Sequence, residues 1–435
     1  MSKIQEALRQ FRSEVYQVFY PSRDAAFELI DAIASSPAAR SAVEVSESPL
    51  MARRYASVYK GLERTRINEW ALNDLLVKQA ETQGELRVAG YAIYSLDHTP
   101  YPRRSAPTVS DRGYVHGADG QVVGHQYSLL GRVMHERGAW VGVTDCVRIR
   151  TDQRPVQVGA AQVAQFRQTA TLPSIITADS EYLTQDMLDQ AHELTPLLIR
   201  MKHNRVLYHA PRVPRRRAPG RPAVHGRRFK LNDARSLGKP DEVWIVADAD
   251  GQGGRIEIAV FKAVHVRSHP HLHGCAVRVQ AFRADGTPKF ARPIWLYWTG
   301  PHDMDWITFW RVYLKRFCIE SVHQFAKNSL AWTSARLGYT DREERWTWLV
   351  MLAYWLLLLS APIACDAHRP WQKPMPPGRL PTPARVQRDC WRIFLAVGTP
   401  SLPPRRRGIP PGRPKGFRPI PRPRYPVVIK GVDTS

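Results

Sequence analysis

Four polar side chains in the stretch VYLKRFCIESVHQFAK (residues 312–327) stand at a spacing that could do chemistry: Tyr313, Arg316, Glu320 and Lys327. On a helix turning about 100° per residue, they fall within roughly 60° of arc, one narrow polar stripe. Such a stripe is either a solvated face, with Arg316 and Glu320 as an i,i+4 ion pair, or one wall of a site. Two further carboxylates favour a site. The apolar runs LRVAGYAIYSLD and PSIITAD each read as a strand stopping at an aspartate, Asp97 and Asp179. Either aspartate alone is explained as a turn former or helix cap, and ADSEY would serve well as a cap. Together with Glu320 they form a set suited to hard divalent cations, which take oxygen ligands and substrate phosphates. Three carboxylates can hold two ions about 3.5–4 Å apart, one for the attacking oxygen and one for the leaving oxygen.

Rigid elements must position such groups, and the sequence supplies them. Residues 1–85 read as helical, with IQEALRQFRSEVYQVF, RDAAFELIDAIASS and RINEWALNDLLVKQAE carrying three- and four-residue apolar spacing. From 86 to 205 the order is three strands (the last AWVGVTDCVRI), a helix (VGAAQVAQFRQTATL), a strand, a helix (SEYLTQDMLDQAHE) and a strand (TPLLIRMK). That order predicts an α/β fold, a mixed sheet covered by helices. Between 206 and 304 four alternating runs, EVWIVADA, RIEIAVFKAVHVR, CAVRVQAFRA and PIWLYWTG, predict a mostly β insertion. Helical pattern returns over 305–365. The tail from 366 holds sixteen prolines and is expected to be extended, apart from a helix near PARVQRDCWRIFLAV.

The charge says what partner to expect. Sixty-three Lys and Arg face 39 acidic residues in 435, a net charge of +24, which favours a polyanion. Half of that excess lies in the tail, and a second concentration is HAPRVPRRRAPGRPAVHGRR at 209–228. The five cysteines are dispersed, with no CxxC pair, which fits reduced thiols in a cytosol. The N-terminus is charged throughout and shows no signal-peptide pattern. WTWLVMLAYWLLLLSAPIAC (346–365) is long and apolar enough to span a bilayer, but a helix buried on all sides has the same composition. The second reading, with no membrane partner, is the expectation here.

Taken together, these residues resemble the DDE transposases of bacterial insertion sequences, which have an RNase H-like fold. The specific part is the signature Y-x2-R-x3-E-x6-K of the branch with a β insertion, matched at every spacing by Tyr313, Arg316, Glu320 and Lys327. YSLDHTPYPR and TADSEY lie where the first two motifs belong. GRPAVHGRRFKL and ERWTWLVMLAYWLL also look like that group. The resemblance implies an RNase H-like mixed sheet with flanking helices, a β insertion and a helical N-terminal domain. It implies that Asp97, Asp179 and Glu320 hold two Mg²⁺ ions, with Mn²⁺ a possible substitute, and that Tyr313, Arg316 and Lys327 contact DNA. The implied activity is cut-and-paste transposition on double-stranded DNA (terminal inverted repeats and target), by a homodimer in the bacterial cytoplasm at the nucleoid. An insertion-domain Trp stacking near a flipped base would be Trp295 or Trp298, although a buried strand Trp explains each.

Other basic residues are expected to touch DNA: Arg200, Lys202 and Arg205 beside the second Asp, and Arg215, Arg216, Arg217 and Arg221 in the arginine-rich loop. Arg413 and Lys415 lie in PPGRPKG, where a GRP core resembles an AT-hook or is a chance tripeptide of a basic Pro-rich linker. HPHLHG places His269, His271 and His273 at alternate positions, more simply an exposed turn than a zinc site. Two rivals remain: a nuclease or resolvase on the same fold without strand transfer, and a non-catalytic domesticated DNA-binding protein.

Overall fold

The chain opens on a capped helix: Ser2 Oγ accepts from Gln5 N–H, and the Gln5 side chain accepts from Ser2 N–H in return. The computed structural model describes residues 2–117, 120–138, 140–211, 222–248, 253–405 and 411–429. The expected N-terminal helices are α1 (Lys3–Gln17), α2 (Arg23–Ser35), α3 (Ala42–Val45), α4 (Tyr55–Arg64) and α5 (Glu69–Gln83), with a small ribbon of β1 (Phe19–Tyr20) and β2 (Arg66–Ile67).

The mixed sheet follows. Its first half comprises β3 (Arg87–Val88), β4 (Tyr91–Pro102), β5 (Gly113–Gly117), β6 (Gly120–Val133) and β7 (Val141–Ile149). Then come α6 (Pro155–Thr169), β8 (Ser174–Ala178), α7 (Gln185–Leu188) and β9 (Leu197–Met201). β6 runs antiparallel to β4 and β7, whereas β8 runs parallel to both β4 and β9, giving the order β7-β6-β4-β8-β9. The β-rich segment holds β10 (Val206–His209), β11 (Arg228–Lys230), α8 (Ala234–Leu237), β12 (Glu242–Ala247), β13 (Arg255–His265), β14 (Gly274–Phe282) and β15 (Ile294–Trp298). β15 pairs with β9, so this segment extends the core sheet edge to edge and makes thirteen strands continuous.

Three expectations are corrected. β4 does not stop at Asp97 but runs on to Pro102, because β6 keeps pairing with it from Tyr94 through Pro102 after β8 has ended. The helix expected over SEYLTQDMLDQAHE shrinks to a 3₁₀ turn at Ser180–Tyr182 and the short α7. Thr184 takes an extended conformation between them, while Tyr182, Leu183, Met187 and Leu188 are all buried. The single stripe-bearing helix is two helices, α9 (Trp306–Lys315) and α10 (Cys318–Ser329). Bonds from Ile319 N–H to Arg316 O and from Glu320 N–H to Phe317 O tighten the junction to an i→i+3 turn, so the 100° stripe does not run through it.

The apolar segment forms α11 (Thr340–Ser360), the one described helix long and apolar enough to cross a membrane; 89% of its most apolar window is buried. It shares a core with α1, α2 and the tail helix α12 (Pro383–Val397), through Phe11, Phe27, Ile30, Trp355 and Phe394. The N-terminal helices therefore cover α11.

Candidate active site

The register of two parallel strands brings Asp97 and Asp179 together. Leu96 of β4 is paired with Ala178 of β8, and each aspartate is the next residue. Side chains alternate along a strand, so Leu96 and Ala178 enter one apolar core while Asp97 turns to the opposite face. Asp179 stands where β8 ends, at the carboxyl edge of the parallel pair, the place where open α/β sheets collect their ligands.

Helix α10 lies over β4 on the Asp97 face. Lys327 Nζ donates to Thr99 Oγ1 at 2.6 Å, and His323 Nδ1 is 4.0 Å from Asp97 Oδ2. Burial holds Asp97 up at about 6, and the negative charge of Glu320 pushes the same way, against His98 and Arg316. Burial also lowers Lys327 to about 8, with Asp97 opposing, and lowers His323 to about 3, so the imidazole is neutral at pH 7. Glu320 is half-exposed and its Oε1 lies 3.4 Å from Arg316 Nη2, so the i,i+4 pair is present. Arg316 is itself buried, stacked on Phe317 at 4.5 Å. Tyr313 is buried too, between Trp310 and Phe317 and near the Arg316 guanidinium; that ring presents no free face for a base.

Three residues outside the expected set belong to this site. His323 was visible three positions after Glu320, on the same face of α10, and its Nε2 is buried without a partner. Thr99 could have been found two residues after Asp97, on the same strand face. Tyr182, whose hydroxyl lies 3.3 Å from His98 Nδ1, had no sequence signal because it sits in the turn that replaced a helix.

The flanking basic residues divide. Arg200 is exposed on β9 with Nη1 4.0 Å from Asp179 Oδ1, and Lys202 is exposed just beyond it. Arg205 is half-buried and donates to the Leu183 carbonyl at 2.9 Å, holding the turn after β8. Arg413 and Lys415 are exposed, Arg413 lying over Phe417. Arg215, Arg216, Arg217 and Arg221 lie outside the described residues. Trp295 and Trp298 are buried in β15, packed on Phe261 and Phe309 respectively, and Trp298 Nε1 donates to Pro301 O. His273 bonds the Pro270 carbonyl within HPHLHG, and His269 ties the turn to Asp189 after α7 at 2.8 Å.

Among the described residues, no group of three or more His, Cys, Asp or Glu side chains is placed to hold a metal ion, so Asp97, Asp179 and Glu320 are not gathered as the expected three-carboxylate set. What is present still suits Mg²⁺. Asp179 Oδ1 is buried with no hydrogen-bond partner, and the Asp97 carboxylate is desolvated beside the charge of Glu320. A cation that keeps waters and takes substrate phosphate oxygens needs only one or two protein carboxylates, and it relieves that repulsion.

A β7-β6-β4-β8-β9 mixed sheet with adjacent aspartates on its parallel central strands, Asp97 within β4 and Asp179 at the end of β8, defines the RNase H-like class. Residues 14–255 match the family model described as DDE superfamily endonuclease, more than half of the chain, and the protein belongs to that family. This is a nuclease- and transposase-type family that takes DNA as substrate and generally uses divalent metals such as Mg²⁺. The matched stretch contains Asp97 and Asp179 and ends before Glu320. No curated protein matches the chain.

Proposed function

We propose that the protein is a DNA transposase that excises an insertion sequence and joins it to target DNA. The observation that carries this reading is the register-fixed pair Asp97–Asp179 facing α10 with Glu320, in a chain of the DDE endonuclease family. Two Mg²⁺ ions (or Mn²⁺) held by Asp97, Asp179 and Glu320 would supply charge to the attacking and leaving oxygens. The chain's own groups do the rest. Half-exposed Glu320 joins the site by leaving Arg316, whose buried guanidinium stays as a positive charge acting on Asp97. Lys327, held by Thr99, places a point charge beside Asp97, and Arg200 places another beside Asp179. Neutral His323 packs against the Asp97 carboxylate without neutralising it. Arg200, Lys202 and the tail cations Arg413 and Lys415 add backbone contacts that fix register and carry no sequence information. Two ends cut in one complex require two such sites, hence a homodimer on paired inverted repeats in the cytoplasm.

The test is a duplex carrying one element end, incubated with Mg²⁺ and a target plasmid. Cleavage and a joined product are expected, and Asp97→Ala, Asp179→Ala and Glu320→Ala should each remove both. The family's description as endonuclease favours one second reading, hydrolysis without joining. Cleavage that never yields joined product identifies that reading, and cleavage that survives all three substitutions sinks both.

A further inference from the structure

A second concavity lies farther along the ridge that carries the catalytic groups. Asp97, Thr99 and Tyr101 alternate onto one face of β4, and Arg103 follows. The chain after α10 tracks this ridge, since Arg103 donates to the carbonyls of Thr333 (2.7 Å) and Ala335 (3.0 Å). Beyond it opens a cleft of about 730 Å³ between the α2–α4 region and residues 333–338. Its lining includes Arg40, Arg104, Arg336, Ser334 and Tyr59.

The charges in this cleft are unbalanced. Arg104 and Arg336 are exposed and, among the described residues, have no hydrogen-bond or ion-pair partner, whereas Arg40 has Glu44 beside it, whose carboxylate accepts from Arg40 N–H at 2.9 Å. Ser334 Oγ is buried and unbonded. The one carboxylate in the lining, Glu343, is spent inward: Arg103 donates to it and His125 Nδ1 stands 3.3 Å away. Two guanidinium groups without a counter-charge, Arg104 and Arg336, line this cleft, and like charges repel over distances on the order of a Debye length, ~8 Å. A run of phosphates relieves that repulsion and is matched by the arginine fork.

We infer that this cleft binds the phosphate backbone of the same DNA whose end is cut at Asp97, on the flank away from the cleavage point. The inference rests on the proposed DNA-cutting role of that site. From Asp97 to Arg103 is six residues, on the order of 20 Å of extended chain. That corresponds to about six base pairs at ~3.4 Å each, so a single duplex can touch both.

Binding of a duplex of about 40 base pairs of arbitrary sequence, without metal, tests this apart from catalysis. The Arg104→Ala/Arg336→Ala protein should bind roughly tenfold more weakly at 0.1 M salt, and its slope of log affinity against log salt should fall by about two. Arg104→Lys/Arg336→Lys should keep the slope, and thermal unfolding of all proteins should coincide because neither side chain is bonded. An alanine variant with unchanged affinity and slope overturns the cleft, as does a wild-type protein that does not bind the duplex. Loss of cleavage in Asp97→Ala alongside an unchanged slope would leave the catalytic reading standing and reject this one.

Discussion

Asp97 is held in a state that stability alone would not select. Its carboxyl is largely desolvated and faces the charge of Glu320, which holds it at about 6, above the ordinary aspartate value near 3.9. The folded metal-free protein therefore binds more protons than the unfolded chain between about pH 4 and 6. Its stability falls as pH rises through that window and stays lower above it. Asp97→Asn escapes the loss. The variant should match the wild type near pH 4 and exceed it by about 1–3 kcal/mol at pH 7, while losing cleavage. Thermal melts across that pH range in the presence of a chelator measure it, and a variant less stable than wild type at pH 7 would refute the account. Glu320 behaves differently because it is half-exposed and its pair with Arg316 is solvent-screened. Glu320→Gln should change stability by less than about 1 kcal/mol and still remove activity. Arg316→Ala should cost more, because the buried guanidinium stacks on Phe317 and fills the junction between α9 and α10.

At the scale of elements, close packing behind the sheet sets the position of β4, the strand that carries Asp97. Helix α6 comes down on β4 at Gly159, where an added Cβ would lie 2.6 Å from the Tyr182 ring and 3.0 Å from Leu96. Leu96 precedes Asp97, and Tyr182 follows Asp179 by three residues. Gly159→Val should therefore destabilise the protein by about 1–3 kcal/mol through overpacking. It should also lower cleavage in the surviving folded fraction; cleavage per folded molecule equal to wild type would show that α6 supports the strand without positioning the site. This coupling explains what the sequence could and could not reveal. Strands were legible because Val, Ile and aromatic runs alternate, and Asp97 and Asp179 were legible because each interrupts such a run. The end of β4 was not, since the residues after Asp97 (HTPYP) carry no apolar run and are kept in strand form by pairing with β6. The break between α9 and α10 was equally hidden. WRVYLKRFCIESVHQFAK keeps helical spacing throughout, and only the inward turn of Arg316 and Tyr313 shows that the stripe is folded. Both halves of the stripe nevertheless pack against β4, the strand that carries Asp97.

For the whole molecule, the largest apolar element and the N-terminal helices belong to one structure rather than to separable modules. Helix α11 carries Trp346, Trp348, Tyr354, Trp355 and a run of leucines, all buried. Part of that cover comes from N-terminal helices: Phe11 meets Trp355 at 5.8 Å between ring centroids, and the Arg345 side chain donates to the Leu62 carbonyl. Gly142 on β7 takes the other side of Trp355, where a Cβ would lie 2.7 Å from the ring. The amphipathic spacing of the N-terminal helices suits a small DNA-binding or assembly domain, and it is equally what a lid over an apolar helix requires. Removing residues 2–83 tests which of these the helices supply. If they are a lid, truncation bares an apolar patch larger than the few hundred Å² that soluble proteins expose, and the protein should pellet at high salt and be recovered only in detergent. The full chain should stay in the supernatant at the same salt, which separates aggregation from electrostatic association with DNA. A truncated protein that remains soluble and cleaves DNA with reduced affinity would make the helices an independent DNA-binding module. The core shared by α1, α2, α11 and α12 argues for the lid.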